Sequence, residues 1–396
     1  MKLTTATLVS VPITFRIALA RILYSHHIFV QLAHEGVTGT GEGVLYRAKP
    51  HEAAVLVAGQ VQPALQQMTE LPKLEDWREQ LRAWAVTSPA VAYALDTAWW
   101  DIQARRLDKP LAAVLGAVSR LQLPVTEQLF IHDDAELARK LAQITGRGTT
   151  HIKLKIGSNL AEDIALVQRV RRQVGPDVEL RVDANHAYRW PAAAPLYRQL
   201  AGLGVRAFEE PLSTRDWAGL AALRRELGVP VILDESILSL SDLQEAIAAQ
   251  AIDLLNVKLT RIGGITLAQE YIDLCRRHGV GVLVGCTEDL GIGTAAILHC
   301  AAALPGCDSM EGLGPERLGF DVVQPAWRIE NGHLALPDGA GLGVELLPAW
   351  QDHLPPAVRR FDLTRPSPAL RLFSESARLR QRLENGRVRL LRRLRG

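Results

Sequence analysis

Five short apolar runs organise the middle of this chain: His151-Ile-Lys-Leu-Lys-Ile156, which carries Lys153 and Lys155, and then Glu179-Leu-Arg-Val-Asp183, Val205-Arg-Ala-Phe-Glu209, Val231-Ile-Leu-Asp234 and Asp253-Leu-Leu-Asn-Val-Lys258, each ending on a charged side chain. From Asp183 the ends follow at steps of 26, 25 and 24 residues, to Glu209, Asp234 and Lys258. That step is about one βα unit, and in a (β/α) barrel every strand C-terminus opens onto one face. The spacing therefore predicts three carboxylates at the mouth of a barrel, flanked by lysines.

Working outward, short apolar strands alternate with helix-period segments from Leu121 onward, as parallel βα units require. Strand ends are expected near Thr126, Ile156, Asp183, Glu209, Asp234, Lys258, Val284 and Asp308, enough to close a barrel. Helices are expected over 159–174, 190–200, 239–249, 264–277 and 291–304. Residues 1–45 alternate like an antiparallel meander, with strands at 2–8, 25–32 and 39–45 and a glycine-rich turn over 35–43. Pro12 to Arg21 is mixed in character and long enough for a flap. The period turns helical from Pro50 to Leu107. Beyond Gly314 the βα alternation stops, and Asn331-Gly332 marks a hairpin. The expected fold class is α/β: a modified (β/α)7β TIM-type barrel with an α+β capping domain built from the N-terminal region and the C-terminal segment. The expected divisions are 1–120 (cap), 121–320 (barrel), 321–369 (segment completing the cap) and 370–396 (basic helical tail).

At 396 residues, with 48% hydrophobic and 22% charged residues and a net charge of +2, the chain has material for a large core and no overall bias toward an acidic partner. The exception is the tail, where Arg371, Arg378, Arg380, Arg382, Arg387, Arg389, Arg392, Arg393 and Arg395 interleave with leucines. Such a tail can reach nucleic acid or an anionic membrane surface; the ordinary reading is a solvated helix packing on its own protein or a sister subunit. Cys275, Cys286, Cys300 and Cys307 form no C-x-x-C pair, which speaks against zinc or a disulfide framework. The N-terminus lacks a signal-peptide core and no run of ~20 apolar residues occurs, so a cytoplasmic enzyme is expected.

Three oxygen donors with no histidine or cysteine among them favour a hard cation, Mg2+ or Mn2+. A cation and partial desolvation both depress a neighbouring lysine, making a neutral amine available as a base. The proton that suits this arrangement is one α to a carboxylate, because the cation can offset the charge that develops. In Lys153-Leu-Lys155 the pleat puts both side chains on one face of the strand, and the second is the better-placed base. Lys258 enters four strands later, across the barrel. Bases on opposite faces of one carbon permit racemisation or epimerisation.

Lys153-Leu-Lys155, Asp183-Ala-Asn185, Phe208-Glu-Glu-Pro211, Leu233-Asp-Glu-Ser236 and Asn256-Val-Lys-Leu259 followed by Gly263-Gly264 resemble, in order and spacing, the enolase superfamily in its muconate lactonizing enzyme-like subgroup. Ala94-Leu-Asp-Thr-Ala-Trp-Trp-Asp101 and Gly341-Leu-Gly-Val-Glu345 extend the resemblance across residues 1–348. A lysine base beside magnesium is the arrangement such sites use. The resemblance implies Asp183, Glu209 and Asp234 as metal ligands, Lys155 and Lys258 as the acid/base pair, and Lys153 as helper. Asn185, Glu210 and Glu235 fall behind the ligands. It also implies a small-molecule carboxylate substrate and a homo-oligomer.

The lysine at the sixth strand, and Gly285-Cys-Thr-Glu-Asp289 in place of a histidine at the seventh, point away from the mandelate racemase-like subgroup. The context of Lys258 is most similar to dipeptide epimerases and N-acylamino acid racemases, so the expected substrate is an amino-acid derivative (a dipeptide, an N-acylamino acid or a betaine); muconate cycloisomerases and o-succinylbenzoate synthases are the alternatives. Dipeptide epimerases usually carry Asp-x-Asp at the eighth strand, where this chain has Asp308-Ser-Met310. Glu288, Asp289 or Glu311 could supply the charge instead. Candidates for touching the substrate tail are Arg16, Arg21, Tyr24 and His26 (with His27) from the flap, and Thr287, Glu288, Asp308 and Met310 from the last strand ends. A barrel that has lost activity and acts through its basic tail is the reading from another class.

Overall fold

The structure, a computed structural model, describes residues 1–17, 20–46, 49–67, 70–118, 120–130, 134–307 and 309–365. Asp308, the basic stretch 370–396 and the side chains of Arg16 and Arg21 lie outside that description.

The chain opens with three long antiparallel strands, β1 (Lys2–Ile17), β2 (Ala20–His34) and β3 (Val37–Tyr46). The expected flap is the far end of the β1–β2 hairpin, whose pairing runs to Ile17 and Ala20. The glycine-rich stretch differs from its reading as a turn. Only Glu35 and Gly36 turn, at φ 49° and 81°, and the strand resumes at Val37. Helices α1 (Pro50–Gln67), α2 (Leu74–Ala85), α3 (Pro89–Arg106) and α4 (Leu111–Leu115) follow. Glycine at 39, 41 and 43 is demanded by α3: a Cβ there would stand 2.2, 1.8 and 1.9 Å from the carbonyl oxygens of Ala98, Ala94 and Ala90. Alanine every fourth residue gives the helix a flat stripe, so strand and helix meet backbone to backbone.

The barrel is β4 (Gln122–Leu129), α5 (Asp134–Gly146), β5 (His151–Lys155), α6 (Leu160–Val174), β6 (Glu179–Asp183), α7 (Ala194–Gly202), β7 (Val205–Glu209), α8 (Trp217–Leu227), β8 (Val231–Leu233), α9 (Leu240–Ala248), β9 (Leu254–Val257), α10 (Leu259–Ile262), α11 (Ile265–Arg277), β10 (Gly281–Val284), α12 (Gly291–Ala303), β11 (Met310–Glu311) and α13 (Gly314–Leu318). Its strands pair in parallel in chain order, and β11 returns to β4 through Met310 opposite Val125 and Glu311 opposite Thr126, closing the ring. The eighth strand thus lies beyond Asp308, where its end was expected. Parallel pairing begins only at Met310, and Met310 belongs to the hydrophobic core while Glu311 takes the inward place.

Four short strands follow among the described residues: β12 (Val323–Gln324), β13 (His333–Ala335), β14 (Glu345–Leu346) and β15 (Arg359–Asp362). Asn331 and Gly332 turn with φ 50° and 73°, as the dipeptide predicts. The outgoing strand β13 then joins the barrel on β4, and β15 pairs with β1. All four cysteines are free and buried. Among the described residues, no helix is long and apolar enough to cross a membrane.

Candidate active site

Strands β5 to β9 deliver their charged residues to one end of the barrel. The pleat of β5 turns both lysines inward. Lys153 Nζ lies 3.1 Å from Glu209 Oε1 and 3.8 Å from Asp183 Oδ2, and donates to Glu311. Lys155 Nζ donates to Asp183 and, at 2.9 Å, to Asn185 Oδ1. Lys258 follows directly on β9, four strands round the ring, and its Nζ is 2.8 Å from Asp234 Oδ2; Arg261 donates to the other oxygen. Asp183, Glu209 and Asp234 are at most 2% exposed.

Burial raises a carboxyl pKa and ammonium neighbours lower it, and the balance differs across the three. Burial would raise Asp183, but Lys155 and Lys153 hold it below the usual range. Burial would likewise raise Asp234, but Arg261, Lys258 and Lys153 hold it well below. At Glu209 burial wins over Lys153 and lifts the group to about 7. Burial works to lower Lys153 and Lys258, yet the surrounding carboxylates, led by Glu209 for the first and Asp234 for the second, hold both above the ordinary lysine value. The protein's own groups thus act opposite to the depression expected beside a divalent cation.

The donor set fits such a cation. It is all carboxylate oxygen, and Glu209 Oε2 is buried with no hydrogen-bond partner, its ion-pair neighbour Arg181 Nε standing off at 3.7 Å. An orphaned acceptor in a low-dielectric interior is costly unless something positive meets it.

Around this set, Asn185 donates its N–H to Asp183 Oδ1 at 2.9 Å and its Nδ2 to Glu235 Oε1 at 2.6 Å. Glu210 accepts from Asp234 N at 2.6 Å, Ser236 N at 2.7 Å and Ser236 Oγ at 2.7 Å, which fixes the turn carrying Asp234. Asn185, His186 and Glu210 adopt φ of 42°, 67° and 37°. Such values for non-glycine residues are costly and gather at functional sites. His186, Glu210 and Glu235 bring donor atoms within 4.8 Å of one another, but the oxygens of Glu210 are already engaged by the Asp234 turn.

Three inward residues went unread in the sequence or were read otherwise. Arg181 donates to Glu311; Asn256 Nδ2 lies 3.2 Å from Glu209 Oε1 and 3.3 Å from Glu311 Oε1. Arg181 and Asn256 each stand two residues before a predicted site residue, so the pleat that aligned Lys153 with Lys155 would have found them. Glu311 is tied into this network beneath Lys153.

The tail candidates are dispersed. His26 is buried in the cap sheet, 2.8 Å from Ser10 Oγ, and Tyr24 stacks on it at 6.0 Å. His27 is buried beside Glu42. Met310 is buried in the hydrophobic core. Thr287 N donates to Asp289 Oδ2 at 2.8 Å. Glu288 is buried and ion-paired to Arg317, whose guanidinium lies 4.4 Å over the Phe130 ring. Glu288 and Arg317 adjoin a cavity of about 770 Å³ shared with Ile13, Gln128 and Leu313.

Residues 135–350 match the family described as Enolase C-terminal domain-like, and residues 3–116 match the Mandelate racemase / muconate lactonizing enzyme, N-terminal domain. The N-succinylamino acid racemase of Amycolatopsis sp is 34% identical over 266 residues, covering 66% of this chain and 70% of that protein. A chloromuconate cycloisomerase from Pseudomonas sp. (strain P51) is 31% identical over 259 residues, covering 64% and 69%. The crystal structure of N-succinyl Arg/Lys racemase from Bacillus cereus ATCC 14579 superposes with a TM-score of 0.80 at 26% identity, over 91% of this chain and all of that one. With a closed barrel, a separate antiparallel cap and both domains matched, the chain belongs to the enolase superfamily, as an isomerase of its mandelate racemase/muconate lactonizing enzyme group.

Proposed function

We propose that the enzyme racemises an N-acylated amino acid by removing the proton α to its carboxylate from one face and returning one to the other. The observation that carries the reading is the placement of Lys155 and Lys258 on opposite strands with Asp183, Glu209 and Asp234 between them. Mg2+, or Mn2+ in its place, is the cation that Asp183, Glu209 and Asp234 would hold. When bound it would offset the negative charge that builds on the substrate carboxylate as the proton leaves. Lys155, as the neutral amine, accepts the α-proton at Nζ. Lys258, as the ammonium, delivers a proton from Nζ to the opposite face. No atom is lost, and the carbon inverts. Lys153, tied to Glu209 and Glu311, stays a fixed positive charge beside the carboxylate.

The acyl group is favoured by the engagement of Glu288. Glu288 is engaged by Arg317, and Glu311 by Lys153 and Arg181. Glu288 therefore does not stand ready for the free ammonium of a dipeptide, whereas Glu311 Oε2 and Asp289 Oδ1 are buried with no hydrogen-bond partner. The resemblance to an N-succinylamino acid racemase supports the same substrate class. The chloromuconate cycloisomerase relative supports a second reading, muconate-type cycloisomerisation, which the same lysines and carboxylates would serve. The reading assigns residues 1–120 and 321–369 to the cap and 121–320 to the barrel. It places a homo-oligomeric enzyme in the cytoplasm.

The test is α-proton exchange in D2O with Mg2+, using N-succinyl- and N-acetyl-amino acids and free dipeptides, with lactone formation from cis,cis-muconate followed alongside. Wild type is expected to wash deuterium into the acylated amino acids. Lys155→Ala abolishes exchange of one enantiomer, and Lys258→Ala blocks interconversion while that enantiomer still exchanges. Exchange by Lys155→Ala at the wild-type rate would remove the base assignment. Exchange confined to free dipeptides would remove the acyl class.

A further inference from the structure

We infer that two carboxylates of the cap, Asp96 and Glu42, are positioning residues for the half of the active-site mouth that carries Lys258, because they supply the N-caps that two barrel helices lack. The inference builds on the two-base reading above.

The barrel helices divide by how their first turns are satisfied. On the side of the carboxylate cluster, α6, α8 and α9 cap themselves. Asn159 Oδ1 accepts from Glu162 N at 3.0 Å, Asp216 Oδ1 from Gly219 N at 3.0 Å, and Ser239 Oγ from Asp242 N at 3.2 Å. Helix α7 carries Pro195 in its first turn, where the missing N–H removes one orphan donor. Helices α11 and α12 are different. They are preceded by Gly264 and Leu290, and neither has a side-chain cap of its own.

The cap fills both places. Asp96, on α3, accepts from Thr266 N at 2.8 Å and from Thr266 Oγ1 at 2.7 Å, and Trp77 Nε1 holds it from behind at 2.8 Å. Gly264 is the residue that admits it: a Cβ there would stand 2.4 Å from Asp96 Oδ2. Glu42, on β3, accepts from Leu290 N at 2.8 Å through Oε1 and from Gly293 N at 2.8 Å through Oε2, with His27 Nδ1 2.8 Å from Oε1. Burial pushes Asp96 up to about 6 and Glu42 up to about 8 while the N–H donors pull the other way; either protonation state leaves an oxygen to accept.

What these caps hold in place is chemical. Gly264 is six residues beyond Lys258, and Leu290 directly follows the Thr287-Glu288-Asp289 strand end. A third contact lies next to Lys258 itself: Val44 N donates to Thr260 Oγ1 at 3.0 Å, and that hydroxyl donates to Val44 O at 2.8 Å, two residues past the lysine. The strand that makes these contacts cannot drift, since its glycines rest against the α3 backbone. The cap therefore sets the Lys258 side of the mouth from outside the barrel, whereas the helices behind Glu209 and Asp234 take their N-caps from their own preceding residues.

The experiment compares full-length Asp96→Ala and Glu42→Ala with the milder Asp96→Asn and Glu42→Gln, each of which keeps one acceptor. Three quantities are read: Mg2+ affinity by calorimetry, amide hydrogen exchange by segment, and α-deuterium exchange against racemisation on pools of N-succinyl-L- and N-succinyl-D-amino acids. The expected result is exchange at least tenfold faster over 264–268 in the Asp96 variants and over 290–294 in the Glu42 variants, with 160–164 unchanged. Mg2+ affinity stays within twofold. Racemisation falls at least tenfold while one-face deuterium exchange stays within threefold, and the Asn and Gln variants fall between. Unchanged protection over 264–268 and 290–294 overturns the inference, as does a loss of Mg2+ affinity equal to the loss of racemisation. If an alanine variant does not fold, its Asn or Gln partner is scored by the same criteria. Should Lys258→Ala leave racemisation intact, the two-base reading fails, and the substrate-free exchange and Mg2+ measurements still decide the positioning role.

Discussion

Replacing Asp234 by Asn removes one negative charge and almost no volume from the centre of the site. The carboxylate is 2% exposed, with Lys258 Nζ at 2.8 Å on one oxygen and Arg261 on the other. The amide leaves two cations facing each other across a neutral group. Breaking a buried pair from one side costs about 3–5 kcal/mol. Glu311 and Glu235 also act on Lys258 and offset part of the loss, so the lower end, about 3 kcal/mol, is expected. Urea denaturation in EDTA measures this without the cation. Lys258→Met and the double variant complete a cycle, in which the double should regain at least about 1 kcal/mol over Asp234→Asn because one orphaned cation is gone. In a calorimetric Mg2+ titration, loss of an outer partner costs about 10–100-fold, so loss of a ligand should exceed about 100-fold. Stability in EDTA within about 0.5 kcal/mol of wild type, with no coupling in the cycle, would refute the pairing.

His299 is buried, its Nδ1 accepting from Ala112 N at 3.1 Å and its Nε2 donating to Leu342 O at 3.1 Å, and burial lowers it to about 4. Its folded pKa lies below its unfolded one, so its stability contribution is complete above about pH 6.5 and shrinks by about 3 kcal/mol as pH falls to 4; His299→Gln should flatten that part of the acid limb in urea melts at pH 7.5 and 4.5, and an unchanged acid limb would count against it. Gly41→Ala should destabilise by at least about 3 kcal/mol, since its Cβ would meet Ala94 O at 1.8 Å. Gly146→Ala, at a helix end with nothing within 4 Å, should be neutral or gain about 0.5–1 kcal/mol; equal melting shifts for the two glycines would contradict the packing described. Deleting 370–396 should leave Mg2+ affinity and α-proton exchange within twofold. Salt-dependent retention on nucleic acid that vanishes with the deletion would instead support a role for the tail in interaction.

Much of the mouth was legible because barrel strands repeat. The even steps from Asp183 to Lys258 reflect one βα unit each, and the pleat alone aligned Lys153 with Lys155. The Asn331-Gly332 turn was readable because its backbone demands those residues. Glycines 39, 41 and 43 were read both into a strand from 39 to 45 and into a turn over 35–43; the strand holds and the turn does not, because the purpose of these glycines lies in a helix surface about fifty residues on. The eighth strand was placed too early because two residues, Met310 and Glu311, are too few to show a period. The roles of Asp96 and Glu42 had no local signal at all, since their partners lie 170 and 248 residues away.

The pairing of β15 with β1 has a consequence for how the chain is made. Thr7 leaves the ribosome more than three hundred residues ahead of its partner Asp362. The first strand of the barrel waits in the same way, for Met310 and Glu311 on one part of its length and His333 to Ala335 on another. Through most of translation the nascent chain therefore carries two open sheet edges, the kind of surface on which strands from other chains add. A ribosome that stalls near residue 350 would release a protein with every predicted site residue in hand and β1 still uncovered, so its fate would be set by aggregation and chaperone capture rather than by chemistry.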